Sequence, residues 1–263
     1  MKIQANGIRI HYELTGNEDK DVVALSHSLA SSLNLWQPQM GVLCRHFRVL
    51  AYDTRGHGGT EASAPPYTLA QLGDDAVALL DALHIERVHW VGISMGGMIG
   101  LCMALDHPNR LKSLSLCDTA AVVPQEAGPI WRERVDVARR EGMSPLVQPT
   151  LERWFTPAFL GSNQPMADQI RRQILDTPVD GYIGCSEAIR HLDYLDRLHE
   201  IEVPTLIMVG ENDPGTPVDA SRAMHERIPG SKLVILPSAF HLSNIEQADA
   251  FNRELMAFLS DNM

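Results

Sequence analysis

Short apolar runs recur along the chain, and stretches with a different hydrophobic period separate them. The runs are rich in Val, Ile and Leu and cover residues 22–25, 47–52, 88–93, 111–116, 205–209 and 233–236. Such runs are typical of strands that are buried on both faces of a sheet. An earlier stretch, residues 8–14, alternates apolar and polar positions, which predicts a strand in an opening hairpin.

The segments between these runs place apolar residues three and four positions apart, as in residues 69–83 and 247–259, which predicts helices. Strands that alternate with helices favour an α/β fold with a mainly parallel, twisted sheet and helices on both faces. In such sheets, binding and catalytic groups gather in the loops beyond the carboxyl ends of the strands. We therefore expect any chemistry to lie in those loops.

One long segment interrupts the alternation. Residues 124–188 contain no clear strand, several prolines and glycines, and helical patterns rich in Arg, Met and Trp. A plain connection of that length is uncommon in a compact domain. We predict a helical cap at residues 122–188, inserted into a core domain formed by residues 1–121 and 189–263.

Composition and charge favour a soluble enzyme over other classes. A chain of 263 residues with 44% hydrophobic and 21% charged residues can bury one large core. The net charge of −11 argues against nucleic acid or an anionic membrane as a partner. Neither a signal peptide nor a membrane-spanning run is visible, and the four cysteines are scattered, so we expect a cytoplasmic protein with reduced thiols.

The pentapeptide Gly-Ile-Ser-Met-Gly at residues 92–96 lies where an apolar run gives way to small and apolar residues at 97–105. Gly-x-Ser-x-Gly between a strand and a helix predicts a nucleophile elbow, in which the serine sits on a strained turn with its hydroxyl exposed. The flanking glycines are required because a Cβ would collide with the turn. Ser94 is therefore the predicted nucleophile.

A serine hydroxyl needs a histidine to take its proton and a carboxylate to orient that histidine. Of the 11 histidines, His241 is the best placed, because it follows the last apolar run and precedes the terminal helical pattern. Asp213 follows the run at 205–209 and gives the chain order Ser…Asp…His. Asp118, at the end of the run at 111–116, remains an alternative acid.

Acyl transfer also needs hydrogen-bond donors for the charge that develops on the carbonyl oxygen. We expect the backbone N–H groups of Met95, directly after the nucleophile, and of Leu29, in the Ser-rich loop after the run at 22–25. The charged, glycine-rich stretch 53–60 is interpreted as structural, since its glycines have no phosphate-binding or dinucleotide spacing. No metal-ligand set is recognisable, so we expect no metal and no cofactor.

Together these motifs resemble the α/β-hydrolase superfamily over essentially the whole chain: His27-Ser28-Leu29, residues 53–60, the elbow at Ser94, the Asp213 loop and His241. Within it, three further stretches resemble the 3-oxoadipate enol-lactonases of aromatic-compound catabolism: residues 152–159, 181–190 and 241–247. The resemblance implies an α/β-hydrolase fold and a small-molecule ester or lactone as substrate. It also implies that the ring opens through an acyl-enzyme on Ser94.

The cap supplies candidate substrate contacts. Trp131 and Trp154 suit an apolar pocket wall, although packing of the cap onto the core explains each of them equally well. An anionic lactone needs a local cation, and arginine matches two carboxylate oxygens with paired donors. We select Arg190, at the return to the core, ahead of the other arginines of the region: Arg132, Arg134, Arg153, Arg171 and Arg172.

Two other functions remain open at this point. A general carboxylesterase or perhydrolase would use the same catalytic residues, and a panel of substrates would separate it from a lactonase. A ligand receptor on the same scaffold would show a burst of reaction with negligible turnover. The sequence leaves the oligomeric state open.

Overall fold

A single eight-stranded sheet forms the centre of the computed structural model, which describes residues 1–263. In chain order the strands are β1 (Lys2–Ala5), β2 (Ile8–Thr15), β3 (Val22–Ser26), β4 (Arg48–Tyr52), β5 (Val88–Ile93), β6 (Leu111–Cys117), β7 (Thr205–Gly210) and β8 (Lys232–Leu236). Each of the six apolar runs is a strand, and no predicted bound differs from the observed one by more than one residue. The prediction of an α/β fold is confirmed.

The strand order across the sheet is β1-β2-β4-β3-β5-β6-β7-β8. Strands β1 and β2 form the expected hairpin, and β2 pairs antiparallel with β4. All remaining pairs are parallel, so the carboxyl ends of β3 to β8 lie along one edge of the sheet. The hairpin turn is Asn6-Gly7, where both residues have positive φ, as a tight two-residue turn requires.

Helices pack on the sheet and extend beyond its carboxyl edge. They are α1 (Gln37–Leu43), α2 (Leu69–Ala82), α3 (Met95–Asp106), α4 (Gly128–Glu141), α5 (Ser144–Trp154), α6 (Pro157–Ser162), α7 (Gln164–Asp176), α8 (Val179–Arg190), α9 (Val218–His225), α10 (Ser243–Glu246) and α11 (Ala248–Ser260). Strands β5 and β7 are buried at every residue, as expected for parallel strands that helices cover on both faces. None of the helices has both the length and the apolar surface that crossing a membrane requires.

Helices α4 to α8, here called the helical insertion, lie in sequence between β6 and β7. One continuous cluster of 70 buried apolar residues includes side chains of the sheet and of this insertion, so the two are packed together. The insertion is helical, as its sequence pattern predicts, and a single bridge between Val122 and Asp193 joins the chain on either side of it. The division into a core and a cap at residues 122–188 stays a prediction.

Candidate active site

Ser94 lies at a sharp turn between β5 and α3. Its backbone has φ 54° and ψ −117°, a conformation that a residue with a side chain rarely adopts. The turn is fixed by two bonds: the Ser94 N–H donates to Cys117 O at 2.8 Å, and the Thr119 hydroxyl donates to Ser94 O at 2.7 Å. The surrounding structure therefore holds the strained turn that the elbow motif predicted.

The glycines that flank this turn have no room for a side chain. A Cβ at Gly92 would overlap the carbonyl oxygen of Gly96, and a Cβ at Gly96 would overlap the carbonyl oxygen of Ser26 on β3. The close approach of α3 to the sheet thus requires glycine at both positions.

The three residues predicted for the chemistry converge at the carboxyl edge of the sheet. His241 Nε2 lies 2.8 Å from Ser94 Oγ, and His241 Nδ1 lies 2.8 Å from Asp213 Oδ2. Asp213 also accepts the N–H of Gly215 at 2.7 Å and the hydroxyl of Thr216 at 2.7 Å. With its proton on Nδ1, the imidazole donates to the carboxylate and accepts from the serine hydroxyl. In this geometry a histidine can take the serine proton.

Opposite charges stabilise each other within this buried group. Burial by itself disfavours a charged imidazole, but the charge and hydrogen bond of Asp213, with a smaller contribution from Asp118, raise the pKa of His241 above its ordinary value. Burial likewise disfavours the Asp213 carboxylate, yet His241 and the bonds from Thr216 lower the pKa of Asp213. Each member of the pair therefore favours the charged form of the other.

Asp118 occupies a different position behind the pair. Its Oδ1 accepts the N–H of Gly210 at 2.8 Å, and its Oδ2 is hydrogen-bonded to the hydroxyl of Ser243. It makes no hydrogen bond with the imidazole of His241. Burial and the charge of Asp213 raise the pKa of Asp118 well above its ordinary value. The geometry favours Asp213 over Asp118 as the orienting acid.

In the loop after β3, hydrogen bonds fix the orientation of the peptide group between Ser28 and Leu29. Ser28 O accepts from His27 Nδ1 at 2.7 Å and from the Ser31 hydroxyl at 2.8 Å. Since C=O and N–H of a trans peptide point in opposite directions, the N–H of Leu29 faces the other way. Neither this N–H nor that of Met95 has a hydrogen-bond partner within the chain. Both predicted donors are thus free to bind an oxyanion.

Two buried histidines support this loop from behind. His27 Nε2 accepts the N–H of Thr54 at 2.9 Å, and His57 Nε2 accepts the N–H of Ala30 at 3.0 Å. Burial lowers the pKa of both rings, that of His57 to about 3, so both remain neutral and able to accept. Because Ala30 has a positive φ of 56°, the bond that its N–H donates to His57 stabilises a strained residue next to the Leu29 donor.

A cavity of about 300 Å³ lies next to Ser94. The loops after β3, β5 and β8 provide one wall through Leu29, Ser94 and His241, and the helical insertion provides the opposite wall. Trp131 on α4 and Trp154 on α5 line it, and their contact with a substrate stays a prediction. The ring of Trp154 lies nearly parallel to that of His241, with their centroids 6.4 Å apart.

Two arginines of the insertion line the same cavity. Arg134 lies over the ring of Trp131 at 5.1 Å, and Arg153 donates to the Thr150 hydroxyl at 3.1 Å; neither forms an ion pair. Burial, together with the positive charge of Arg134, lowers the pKa of Arg153 to about 10, which leaves the group charged at neutral pH. Two half-buried cations without a carboxylate partner line one cavity, an arrangement that favours an anionic ligand.

Arg190, the arginine selected from the sequence, does not line this cavity. At the end of α8 its guanidinium donates to the carboxylate of Glu187, with Nη2 at 2.6 Å. Glutamate three residues before arginine is a spacing that forms such pairs on a helix, and the sequence already contained that signal. The spacing of three residues between Trp131 and Arg134 likewise indicated that both share one face of a helix.

A mainly parallel sheet with a serine elbow, and with a histidine and an aspartate in the following loops, defines the class of α/β hydrolases. The chain belongs to the alpha/beta hydrolase fold family, whose model matches residues 21–248.

The chain is also similar to individual members of this family. 3-oxoadipate enol-lactonase 2 of Acinetobacter baylyi is 34% identical over 98% of this chain and 95% of its own length. The crystal structure of the enol-lactonase from Burkholderia xenovorans superposes with a TM-score of 0.96 and 38% identity, covering 99% of this chain and 100% of that one. A RutD protein of Variovorax paradoxus, named for carbamate hydrolysis, is 31% identical over 95% of this chain and 96% of its own. The chain is a hydrolase that acts on ester bonds.

Proposed function

We propose that this chain opens 3-oxoadipate enol-lactone to 3-oxoadipate, as a serine hydrolase of aromatic-compound catabolism. The observation that carries the proposal is the pair of unpaired arginines, Arg134 and Arg153, beside the cavity that contains Ser94 and His241. The enol-lactone carries a carboxylate, which these cations suit. The two enol-lactonases that match nearly the whole chain support the same substrate. The proposal also includes the cytoplasmic location that the sequence leads us to expect.

Acylation begins when Ser94 Oγ attacks the lactone carbonyl while His241 Nε2 takes the hydroxyl proton. Asp213 stabilises the imidazolium that forms, and the N–H groups of Leu29 and Met95 stabilise the oxyanion. The ring C–O bond then breaks as His241 returns the proton to the departing enol oxygen. The acyl group remains as an ester on Ser94, and the enol stays tethered to it.

Deacylation follows once the enol has become a ketone. In that step the enol proton is lost from oxygen and a proton is gained at carbon, which removes the nucleophile that could close the ring again. His241 then takes a proton from water, and the water oxygen attacks the acyl carbon. The bond between the acyl carbon and Ser94 Oγ breaks as His241 gives the proton to Ser94 Oγ. The product is a 3-oxo dicarboxylate.

Local charge must overcome the charge of the whole protein for this substrate to bind. The net charge of −11 repels an anion at long range, but salt screens that field beyond about 8 Å. Within the cavity a guanidinium can donate two parallel hydrogen bonds to one carboxylate. We therefore expect the two arginines to decide which esters bind well.

Substitution of these arginines tests the proposal. Arg153→Met and Arg134→Met should each lower kcat/KM for the enol-lactone by about 10-fold or more, equivalent to about 1.4 kcal/mol. Hydrolysis of a neutral aryl ester should change little in both variants. Arg190→Met is the matched control and should alter neither reaction, because Arg190 is paired outside the cavity. Equal losses on both esters, or no loss on either, would contradict an anion-binding role.

Carbamate hydrolysis is a second candidate because the RutD relative covers most of the chain and the same residues could attack a carbamate. The size of the cavity and its two tryptophans, Trp131 and Trp154, fit a lactone ring better than the much smaller carbamate ion. Ammonia release from carbamate is measured beside hydrolysis of the lactone and of the aryl ester. The three rates separate a lactonase, a carbamate hydrolase and a general esterase. Faster turnover of carbamate would favour that function, and faster turnover of the aryl ester would favour a general esterase.

A further inference from the structure

A single carboxylate ties the loop of His241 to the helical insertion. Glu246, on α10, accepts two hydrogen bonds at Oε1 from Thr156, one from its N–H at 2.8 Å and one from its hydroxyl at 2.7 Å. The other oxygen, Oε2, accepts the N–H of Phe240 at 2.6 Å. Phe240 directly precedes His241, and Thr156 lies between α5 and α6. Glu246 therefore joins two segments that are 90 residues apart in the sequence.

A backbone bond makes the same connection on the other side of the histidine. The N–H of Leu242 donates to Trp154 O at 3.1 Å. The backbone is thus held both before and after His241 by residues 154–156 of the insertion, directly or through Glu246. The stretches joined here, 152–159 and 241–247, are two of those that the sequence resemblance singled out, and neither Thr156 nor Glu246 has a role in the chemistry described above.

The C-terminal end of α5 also carries Arg153, which directly precedes Trp154 in the chain. One short segment therefore presents a cation to the cavity, places an aromatic ring beside His241 and anchors the histidine loop. On the opposite side of the loop, Ser243 is bonded to Asp118 at the end of β6. The histidine loop is thus attached to residues that follow the sheet strands and, through Glu246 and the N–H of Leu242, to the insertion.

We propose that Glu246 is a positioning residue that holds His241 between Ser94 and Asp213 and couples it to the segment that carries Arg153. The inference rests on the serine mechanism proposed above. Three hydrogen bonds from two separate segments converge on one carboxylate, which can fix the loop. A misplacement of about 1 Å at a catalytic group can lower the rate by about 10²-fold.

Glu246→Gln removes part of the hydrogen bonding to Thr156 and Phe240 with little change in the shape of the side chain. Glutamine has one oxygen that accepts, so it can keep the bonds to Thr156 or the bond to Phe240, but not both. We expect kcat to fall about 10- to 100-fold on both the enol-lactone and a neutral aryl ester, in line with such a misplacement, while KM changes little. Thr156→Val, which removes the hydroxyl donor, should cause a smaller loss of the same kind, and Thr156→Ser should restore kcat.

The pH profile separates positioning from a structural role. The groups that set the pKa of His241 are Asp213 after β7, Asp118 after β6 and Arg153 on α5. If the imidazole turns away from Asp213, it loses the charge that raises its pKa, so the acid limb of kcat/KM should move to lower pH in Glu246→Gln. Glu152→Gln is the matched control, because Glu152 is exposed on α5 and bonded only to Gln148.

Active sites are counted with an aryl phosphonate that reacts with the serine, and folding is followed by thermal unfolding. Wild-type kcat per titrated site with an unmoved acid limb in Glu246→Gln would overturn the inference, whether or not the variant is less stable. A wild-type protein that hydrolyses the aryl ester but not the enol-lactone would contradict the proposed substrate. In that case kcat and the acid limb on the aryl ester still decide the role of Glu246.

Discussion

His241 is held by contacts on every side of its ring. Asp213 is bonded to Nδ1, Ser94 lies at Nε2, and the ring of Trp154 lies alongside. The imidazole is buried, so the charge of Asp213 acts on it with little screening by water. The proton chemistry proposed here therefore depends on a small number of fixed neighbours, and each of them can be removed separately.

The two aspartates behind the histidine should differ sharply in their effects. Asp213→Asn should lower kcat by about 10⁴-fold, the loss seen when the acid of such a triad is neutralised. Asp118→Asn should keep most of the activity, because asparagine can still accept from Gly210 and bond to Ser243. Steady-state kinetics of both variants check this. The opposite ranking would assign the orienting role to Asp118.

The pH dependence of kcat/KM should report the pKa of His241. Only the neutral imidazole can accept the serine proton, and Asp213 raises the pKa of the ring above its ordinary value of about 6.5. The acid limb in the wild type should therefore have its midpoint above pH 6.5. In Asp213→Asn the residual activity should have an acid limb at lower pH, since burial then acts without the opposing charge. A limb that stays in place after this substitution would show that another group titrates.

At the scale of elements, the junction between β5 and α3 leaves no room for a side chain at its glycines. Gly96→Ala would drive a Cβ into the carbonyl oxygen of Ser26, and we expect a loss of about 1–3 kcal/mol or more in the free energy of unfolding. Gly161→Ala on α6 is the control: no atom lies within 4 Å of its added Cβ, and alanine favours a helix by up to about 1 kcal/mol. Urea unfolding of both variants measures the difference. Equal stability of the two would contradict the packing account.

The strands, the elbow and the places of Ser94, Asp213 and His241 at the carboxyl edge of the sheet could be predicted because they depend on local pattern. The apolar runs must be buried on both faces, and Gly-x-Ser-x-Gly after such a run leaves few alternatives for Ser94. Side chains of the insertion could not be placed in the same way, because which face of a helix meets the cavity depends on packing across the whole insertion. Arg190 was selected for its chain position, whereas its pairing with Glu187 directs it elsewhere.

At the scale of the whole molecule, the site exists only where the sheet and the helical insertion meet. The sheet edge supplies Ser94, His241 and Asp213, and the insertion supplies Arg134 and Arg153. The tie through Glu246 spans 90 residues and has no local signal in the sequence. The sheet edge thus carries the residues proposed for the reaction, and the insertion carries the residues proposed to select the substrate.

Turnover of the enol-lactone itself tests the central claim most directly. Purified wild-type protein and Ser94→Ala are mixed with 3-oxoadipate enol-lactone, and the formation of 3-oxoadipate is followed with time. We predict rapid hydrolysis by the wild type, faster than that of a neutral aryl ester. Ser94→Ala should lose many powers of ten in kcat with the fold intact. Hydrolysis by Ser94→Ala at more than a few per cent of the wild-type rate, or no lactone hydrolysis by the wild type, would contradict the account.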